Sequence, residues 1–179
     1  MVIINEKLTE TDDLNIEITL SSSGKRGTML RGAHYELGKS LGLYIIEDIP
    51  SQDTFTVFVL MRAGLCFGLG LADAIENEKK NCKIVFSTDH NPILEGLVIF
   101  VDAVINSGDT ILHAIKGIAN DMIIATNVIS IKAIEKFENH TVYATRMSEK
   151  SFIGSNITII NDGKGPDTGE RLFNNQFYK

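Results

Sequence analysis

Phe55-Thr56-Val57-Phe58-Val59-Leu60-Met61 and Leu97-Val98-Ile99-Phe100-Val101-Asp102 are the stretches on which the reading of this chain turns. Both are dominated by β-branched, aromatic and aliphatic residues. They are too short for a helix and too apolar for a strand with one face in water. Runs of this kind fit parallel strands buried on both faces. Outward from them the chain alternates. FGLGLADAIEN at 67–77 predicts a helix, KIVFS at 83–87 a strand, and TILHAIKGI at 110–118 a helix. MIIATNVISI at 122–131 predicts a strand, KAIEKF at 132–137 a helical turn, and TVYAT at 141–145 a last strand. Strand-helix alternation predicts a doubly wound α/β fold, a mostly parallel sheet with helices on both faces.

The amino-terminal part is less regular. The short alternation in LNIEITL, at 14–20, predicts an edge strand, and a polar break follows at 21–27. Thr28 is placed to cap a helix to about Leu41, with Leu30, Ala33, Leu37 and Leu41 on one face and Gly42 just past its end. No repeat or low-complexity linker interrupts the pattern, so residues 1–179 are expected to form one domain, its 151–179 tail wrapping the surface.

Composition narrows the function. The chain has 17 Lys and Arg against 23 Asp and Glu, a net charge of −6, which argues against a general nucleic-acid binder. Hydrophobic content of 44% with 22% charged residues is ordinary globular usage. Cys66 and Cys82 match no metal spacing and are too few for a disulfide framework, as expected of a cytoplasmic protein. MVIINEKLTETDD lacks the basic start and apolar run of a signal peptide, and no stretch approaches the roughly 20 apolar residues of a membrane span. No membrane partner is expected.

In an open parallel sheet, ligands bind beyond the carboxyl ends of the strands. After 97–102 come Ala103-Val104-Ile105-Asn106-Ser107-Gly108-Asp109-Thr110 and a helix. Free amides with Ser and Thr hydroxyls and a glycine make a phosphate cradle. The plainer reading is a helix capped by Asn106, Ser107 or Asp109, and the Asp109 carboxylate would repel a phosphate unless it turns away or meets a cation. After 55–61, Arg62-Ala63-Gly64 offers a guanidinium that can grip a pyrophosphate; the alternative is a surface Arg beside glycines that ease helix-sheet packing. The glycine spacing is not GxGxxG. In Asn161-Asp162-Gly163-Lys164-Gly165-Pro166-Asp167-Thr168-Gly169-Glu170-Arg171 no Ser or Thr follows Lys164, so a P-loop match fails. His34, His90, His113 and His140 show no metal or triad spacing and read as structural or exposed.

Taken in order, these segments resemble the type I phosphoribosyltransferases, and within them the uracil phosphoribosyltransferases. MRAGL at 61–65 is similar to the family's LRAGL pyrophosphate loop, and FVDAVINSGDT at 100–110 to its VDPMLATGGS ribose-phosphate loop. DGKGPDTGERLF at 162–173 resembles the PGLGDAGDRLF segment that binds uracil, and TMLRGAHYELGKSLGLYIIED at 28–48 resembles the early helix. The resemblance implies transfer of the phosphoribosyl group from phosphoribosyl pyrophosphate to uracil or a related pyrimidine, with Mg²⁺, in a homodimer. It implies catalytic roles for Asp102, on the ribose hydroxyls, and Arg62, which with Ala63 and Gly64 faces pyrophosphate. Asn106, Ser107, Gly108, Asp109 and Thr110 would hold the 5′-phosphate. Ile160, Gly163 and Gly165, in the 151–179 base-binding segment, would read the base. Asp167 would approach the phosphoribosyl group or its metal, which is bound mainly through substrate.

The chain departs from the family at four places, one of them the uracil segment, whose opening proline is missing while Pro166 is displaced. Asp109 stands where the family has its second loop glycine, and Ala103 where it has proline. The family's long mobile hood, between the strands at 83–87 and 97–102, shrinks here to Thr88–Gly96. A lid of that kind excludes water and brings a basic residue to the phosphates. Its loss leaves a second reading beside the enzyme, a weak or inactive relative that binds a nucleotide or partner protein for regulation.

Overall fold

The computed structural model describes residues 1–150 and 166–174. Strands β1 (Val2–Ile4), β2 (Thr54–Val59), β3 (Asn81–Phe86), β4 (Leu97–Ile105), β5 (Met122–Ser130) and β6 (Val142–Ser148) form a sheet in the order β1-β6-β5-β4-β2-β3. Every pairing is parallel. Helices α1 (Glu10–Thr19), α2 (Gly27–Asp48), α3 (Gly64–Asn77), α4 (Asp109–Ala114) and α5 (Thr168–Phe173) join or flank the strands.

The two faces are covered unequally. Phe55, Val57, Val59, Ile99 and Val101 point to the side of α2 and α3 and join Leu37, Leu41, Phe67 and Leu71 in the larger core. Val98, Phe100, Ile124 and Val142 point the other way, to Ile111 and Ile115 beside α4 and to Ala133 and Phe137 of a 3₁₀ segment (Ile131–Phe137). With apolar side chains needed on both faces, the central strands had to read as unbroken apolar runs.

The amino-terminal region differs from the sequence reading. Residues 14–20 belong mostly to α1, not to a strand. Thr9 caps that helix reciprocally: its hydroxyl accepts from the Asp12 amide at 3.2 Å, and the Asp12 carboxylate accepts from the Thr9 amide at 2.9 Å. Glu10, Asp12 and Asp13 favour the start of the helix. Ile16 and Ile18, two positions apart in the helix, reach two different apolar clusters. The edge strand is Val2–Ile4, beside β6. Helix α2 begins at Gly27 without a side-chain cap and runs to Asp48, with Gly42 in its interior.

Strand order reverses direction between β2 and β4. From β2 the chain moves outward to β3, and from β4 it moves the opposite way to β5 and β6. The connections leaving β2 and β4 therefore go to opposite faces, which parts the loops at their carboxyl ends and opens a crevice.

Candidate active site

The first wall of the crevice is the turn after β2. Two hydrogen bonds extend the sheet past Val59: the Leu60 amide donates to the Val101 carbonyl at 2.9 Å, and the Met61 amide to Ser87 Oγ at 3.0 Å. The Met61–Arg62 peptide is cis, and the Gly64 amide closes the turn onto the Leu60 carbonyl at 3.0 Å. A Cβ on Gly64 would lie 2.6 Å from the Val101 carbonyl oxygen, so only glycine lets α3 start this close to β4. Arg62 is held exposed at the mouth.

The second wall is β4 and its loop. The strand does not end at Asp102 but runs to Ile105, with Asp102 in register with Thr126 of β5. The residue as a whole keeps some exposure, while its Oδ1 is sealed from solvent with no hydrogen-bond partner. Burial pushes its carboxyl up to about 7; amides of Val104 and Ala103 oppose this, and the nearby Asp167 charge adds to it. The loop proper is Asn106-Ser107-Gly108. Gly108 takes φ +81°, and a Cβ there would meet the Phe137 ring at 2.7 Å. None of Asn106, Ser107 and Asp109 is the cap residue of α4, which is Gly108; the side-chain bond at the helix start runs from the Asp109 amide to Ser107 Oγ at 3.4 Å. Asp109 turns to Lys136, whose Nζ donates to its Oδ1 at 2.7 Å. That bond, with the Ser107 hydroxyl adding, holds the Asp109 carboxyl below the usual carboxylate range.

The third wall comes from the carboxyl end of the described chain. Asp167 caps α5, its Oδ1 accepting from the Glu170 amide at 2.7 Å. Helix α5 is anchored by Arg31, which donates to the Leu172 carbonyl at 2.7 Å, and by Arg171, which donates to the carbonyls of Lys25 and Leu20. A Cβ on Gly169 would lie 3.8 Å from the Ala63 nitrogen, so α5 starts directly against the Arg62–Ala63 turn.

These walls enclose a cleft of about 290 Å³ lined among others by Arg62, Ala63, Asp102, Asn106, Thr110 and Asp167. A recess of about 140 Å³ continues it, bounded by Asp102, Asn106, Ser107, Gly108 and Thr110. Gly64 lies behind the wall and Asp109 lines neither space. Ile160, Gly163 and Gly165 lie outside the described residues. Of the 151–179 tail expected to wrap the surface, the described part forms α5, whose Thr168, Gly169, Arg171 and Leu172 are buried instead. A polar hollow of about 330 Å³ between α1 and α2 contains none of the predicted residues.

Sequence reasoning missed Lys136, separated from Asp109 by the rest of α4, all of β5 and the turns between them. It also missed buried polar groups near the carboxyl ends of β5 and β6. Asn127 donates to Thr19 Oγ1 at 3.2 Å but leaves its Oδ1 unpaired, and the Thr145 hydroxyl is unpaired too. His34 of α2 has both ring nitrogens buried and unpaired; burial first, then the charges of Arg171 and Arg146, lower its pKa to about 3. The polar pair Thr126-Asn127 inside an apolar run was the available signal. No cluster of three or more potential metal ligands exists among the described residues, and no helix there is long and apolar enough to cross a membrane.

No family profile and no curated protein matches the chain by sequence. Solved structures do match in fold. Orotate phosphoribosyltransferase from Mycobacterium tuberculosis, in complex with inorganic phosphate, superposes with a TM-score of 0.54 at 15% identity, covering 77% of this chain and 94% of that one. A phosphoribosyltransferase from Corynebacterium diphtheriae gives 0.53 at 16% identity, covering 79% and 96%. Hypoxanthine-guanine phosphoribosyltransferase from Schistosoma mansoni, in complex with IMP, gives 0.51 at 13% identity, covering 67% of each chain. The all-parallel sheet with its flanking helices is thus the type I phosphoribosyltransferase fold.

Proposed function

We propose that this single-domain chain is a phosphoribosyltransferase that joins the phosphoribosyl group of phosphoribosyl pyrophosphate to uracil, giving uridine monophosphate and pyrophosphate. One observation carries the reading: Arg62, Asp102, Asn106, Thr110 and Asp167, from three distant parts of the chain, line one cleft at the strand-order reversal. In this reading the amides and hydroxyls of Asn106 to Thr110 receive the 5′-phosphate in the smaller recess. Asp102 accepts from the ribose hydroxyls, and Arg62 and Ala63 face pyrophosphate, with Gly64 behind them letting α3 start close to β4. Ile160, Gly163 and Gly165 read the base. The bond from C1′ to pyrophosphate breaks as the bond to the base nitrogen forms, and the base proton leaves to water. Catalysis is then positional and electrostatic: holding the reactants in line, and spreading the charge of the departing pyrophosphate.

Asp102 and Asp167 are two carboxylates on one cleft, too few for a metal cage of their own. That donor set fits Mg²⁺ held mainly through substrate phosphates. When bound, the ion neutralises charge on the leaving group. We further propose a cytoplasmic homodimer, which light scattering would check.

The test is pyrophosphate release and uridine monophosphate formation from phosphoribosyl pyrophosphate and uracil with MgCl₂. Turnover should vanish with EDTA and fall about 100-fold or more in Arg62→Ala. Folded protein without turnover above background would overturn the enzyme. One observation favours the second reading, a binder without chemistry. Residues 87–96 are all that link β3 to β4, and they must return from the carboxyl end of one strand to the amino end of the other. The Glu95 amide donates to Thr56 Oγ1 at 2.9 Å, tying this return to the sheet. Calorimetric binding of nucleotide without pyrophosphate release would mark that reading.

A further inference from the structure

Asp109 puts a negative charge beside the loop to which the proposed function assigns a phosphate. The fold answers that charge from another element. Lys136 lies near the end of the 3₁₀ segment Ile131–Phe137, and its Nζ meets Asp109 Oδ1 at 2.7 Å. Its neighbour Phe137 is fully buried, and its ring lies where a Cβ on Gly108 would be. The same segment thus supports the loop from beneath and reaches round to its acidic residue. Asp109 lines neither the cleft nor the recess.

We propose that Lys136 is a positioning residue for the phosphate loop: it holds the Asp109 carboxylate outside the cleft and recess and cancels its charge, so that the loop accepts a phosphate monoester. The inference rests on the functional reading above and adds a residue to it. Both partners are well exposed, with side-chain accessibilities of 44% for Lys136 and 72% for Asp109. An exposed pair adds little to folding stability, so its effect belongs in anion binding rather than in melting temperature. A free carboxylate a few ångströms from a dianion lowers affinity about tenfold at low salt and much less at high salt.

The experiment is calorimetric titration of the full chain with ribose 5-phosphate at low salt and again at high salt. Lys136→Met should bind about tenfold more weakly at low salt, with the gap closing at high salt and the melting temperature unchanged. Lys136→Arg should bind nearly as the wild type does, and Asp109→Asn introduced into Lys136→Met should recover most of the loss. Affinity of Lys136→Met within twofold of wild type overturns the inference while leaving the functional reading intact. So does a double variant as weak as Lys136→Met, since Lys136 would then act on the ligand without Asp109. Should Lys136→Met melt early, the decision passes to Asp109→Asn in the wild-type background, which must bind at least as tightly as wild type. A wild-type chain that does not bind ribose 5-phosphate removes the reading of the loop, and the role of Lys136 with it.

Discussion

At Asp102 the cost of burying a carboxylate sits at the centre of the cleft. Its acidity is weakened to about 7, chiefly by burial. An acid whose pKa is higher folded than unfolded takes up protons on folding between the two values. Stability is therefore lost as pH rises from about 4 to about 7 and is level above that. Asp102→Asn should match the wild type in denaturant unfolding at pH 4 and exceed it by about 2–4 kcal/mol at pH 8. An equal offset at both pH values would show that the side chain is not titrating in that range. The comparison has to be with the variant, because His34 pulls the other way. Its pKa of about 3 makes the wild type lose stability as pH falls through and below 6.5, which masks the Asp102 slope in the wild type alone. Asp102 was legible in the sequence as a candidate site acid at the end of an apolar run. Its sealed Oδ1 was not, because that depends on what β5 and α5 place around it.

At the scale of elements, the contact between α2 and α3 sets the height of the layer over the site. A Cβ on Gly70 would come within 1.9 Å of the Tyr35 carbonyl oxygen, and one on Gly38 within 2.0 Å of that of Phe67. The helices meet backbone to backbone, and the Tyr35 hydroxyl donates to Asp73 across them. Gly70→Ala should destabilise the protein by about 3 kcal/mol in chemical denaturation, since the obstructing atoms are main chain and cannot rotate away. A loss under about 1 kcal/mol would mean that the helices separate easily. This contact also explains one of two sequence readings that differed from the structure. Gly42 looks like a helix stop in a linear pattern, yet it sits mid-helix where a Cβ would lie 2.8 Å from that of Ala74. Residues 14–20 alternate like a strand over a few positions, but the reciprocal cap at Thr9 and Asp12 starts a helix first.

For the molecule as a whole, the consequential feature is the link from β3 to β4. Ten residues, 87–96, must descend the full height of the sheet. Phe86 is level with Val59 and Leu97 with Phe55, a descent of about 13 Å at about 3.3 Å per residue. The turn closed by the Asp89 amide on the Phe86 carbonyl takes the start of the link and the Glu95–Thr56 bond fixes its end, so the link holds no long cover over the cleft. A phosphoribosyltransferase open to solvent at this point should let water compete with the base. Pyrophosphate release from phosphoribosyl pyrophosphate should exceed uridine monophosphate formation, with ribose 5-phosphate making up the difference. Equal amounts of the two products would mean that the site is closed by something else, a second copy of the chain being the first to test by concentration dependence.

Residue order alone carried the parallel α/β architecture, because strands buried on both faces need unbroken apolar runs and those are visible in one dimension. It also carried the three segments now found around the cleft, since Arg62-Ala63, Asp102 to Thr110 and Asp167 are each local in the chain. The tertiary structure decided how their charges are balanced. Asp109 meets Lys136, and Asp102 is desolvated against β5 with Asp167 nearby, through contacts between elements far apart in sequence. Charge in a protein is set by neighbours in space, whereas hydrophobic periodicity is set by neighbours along the chain.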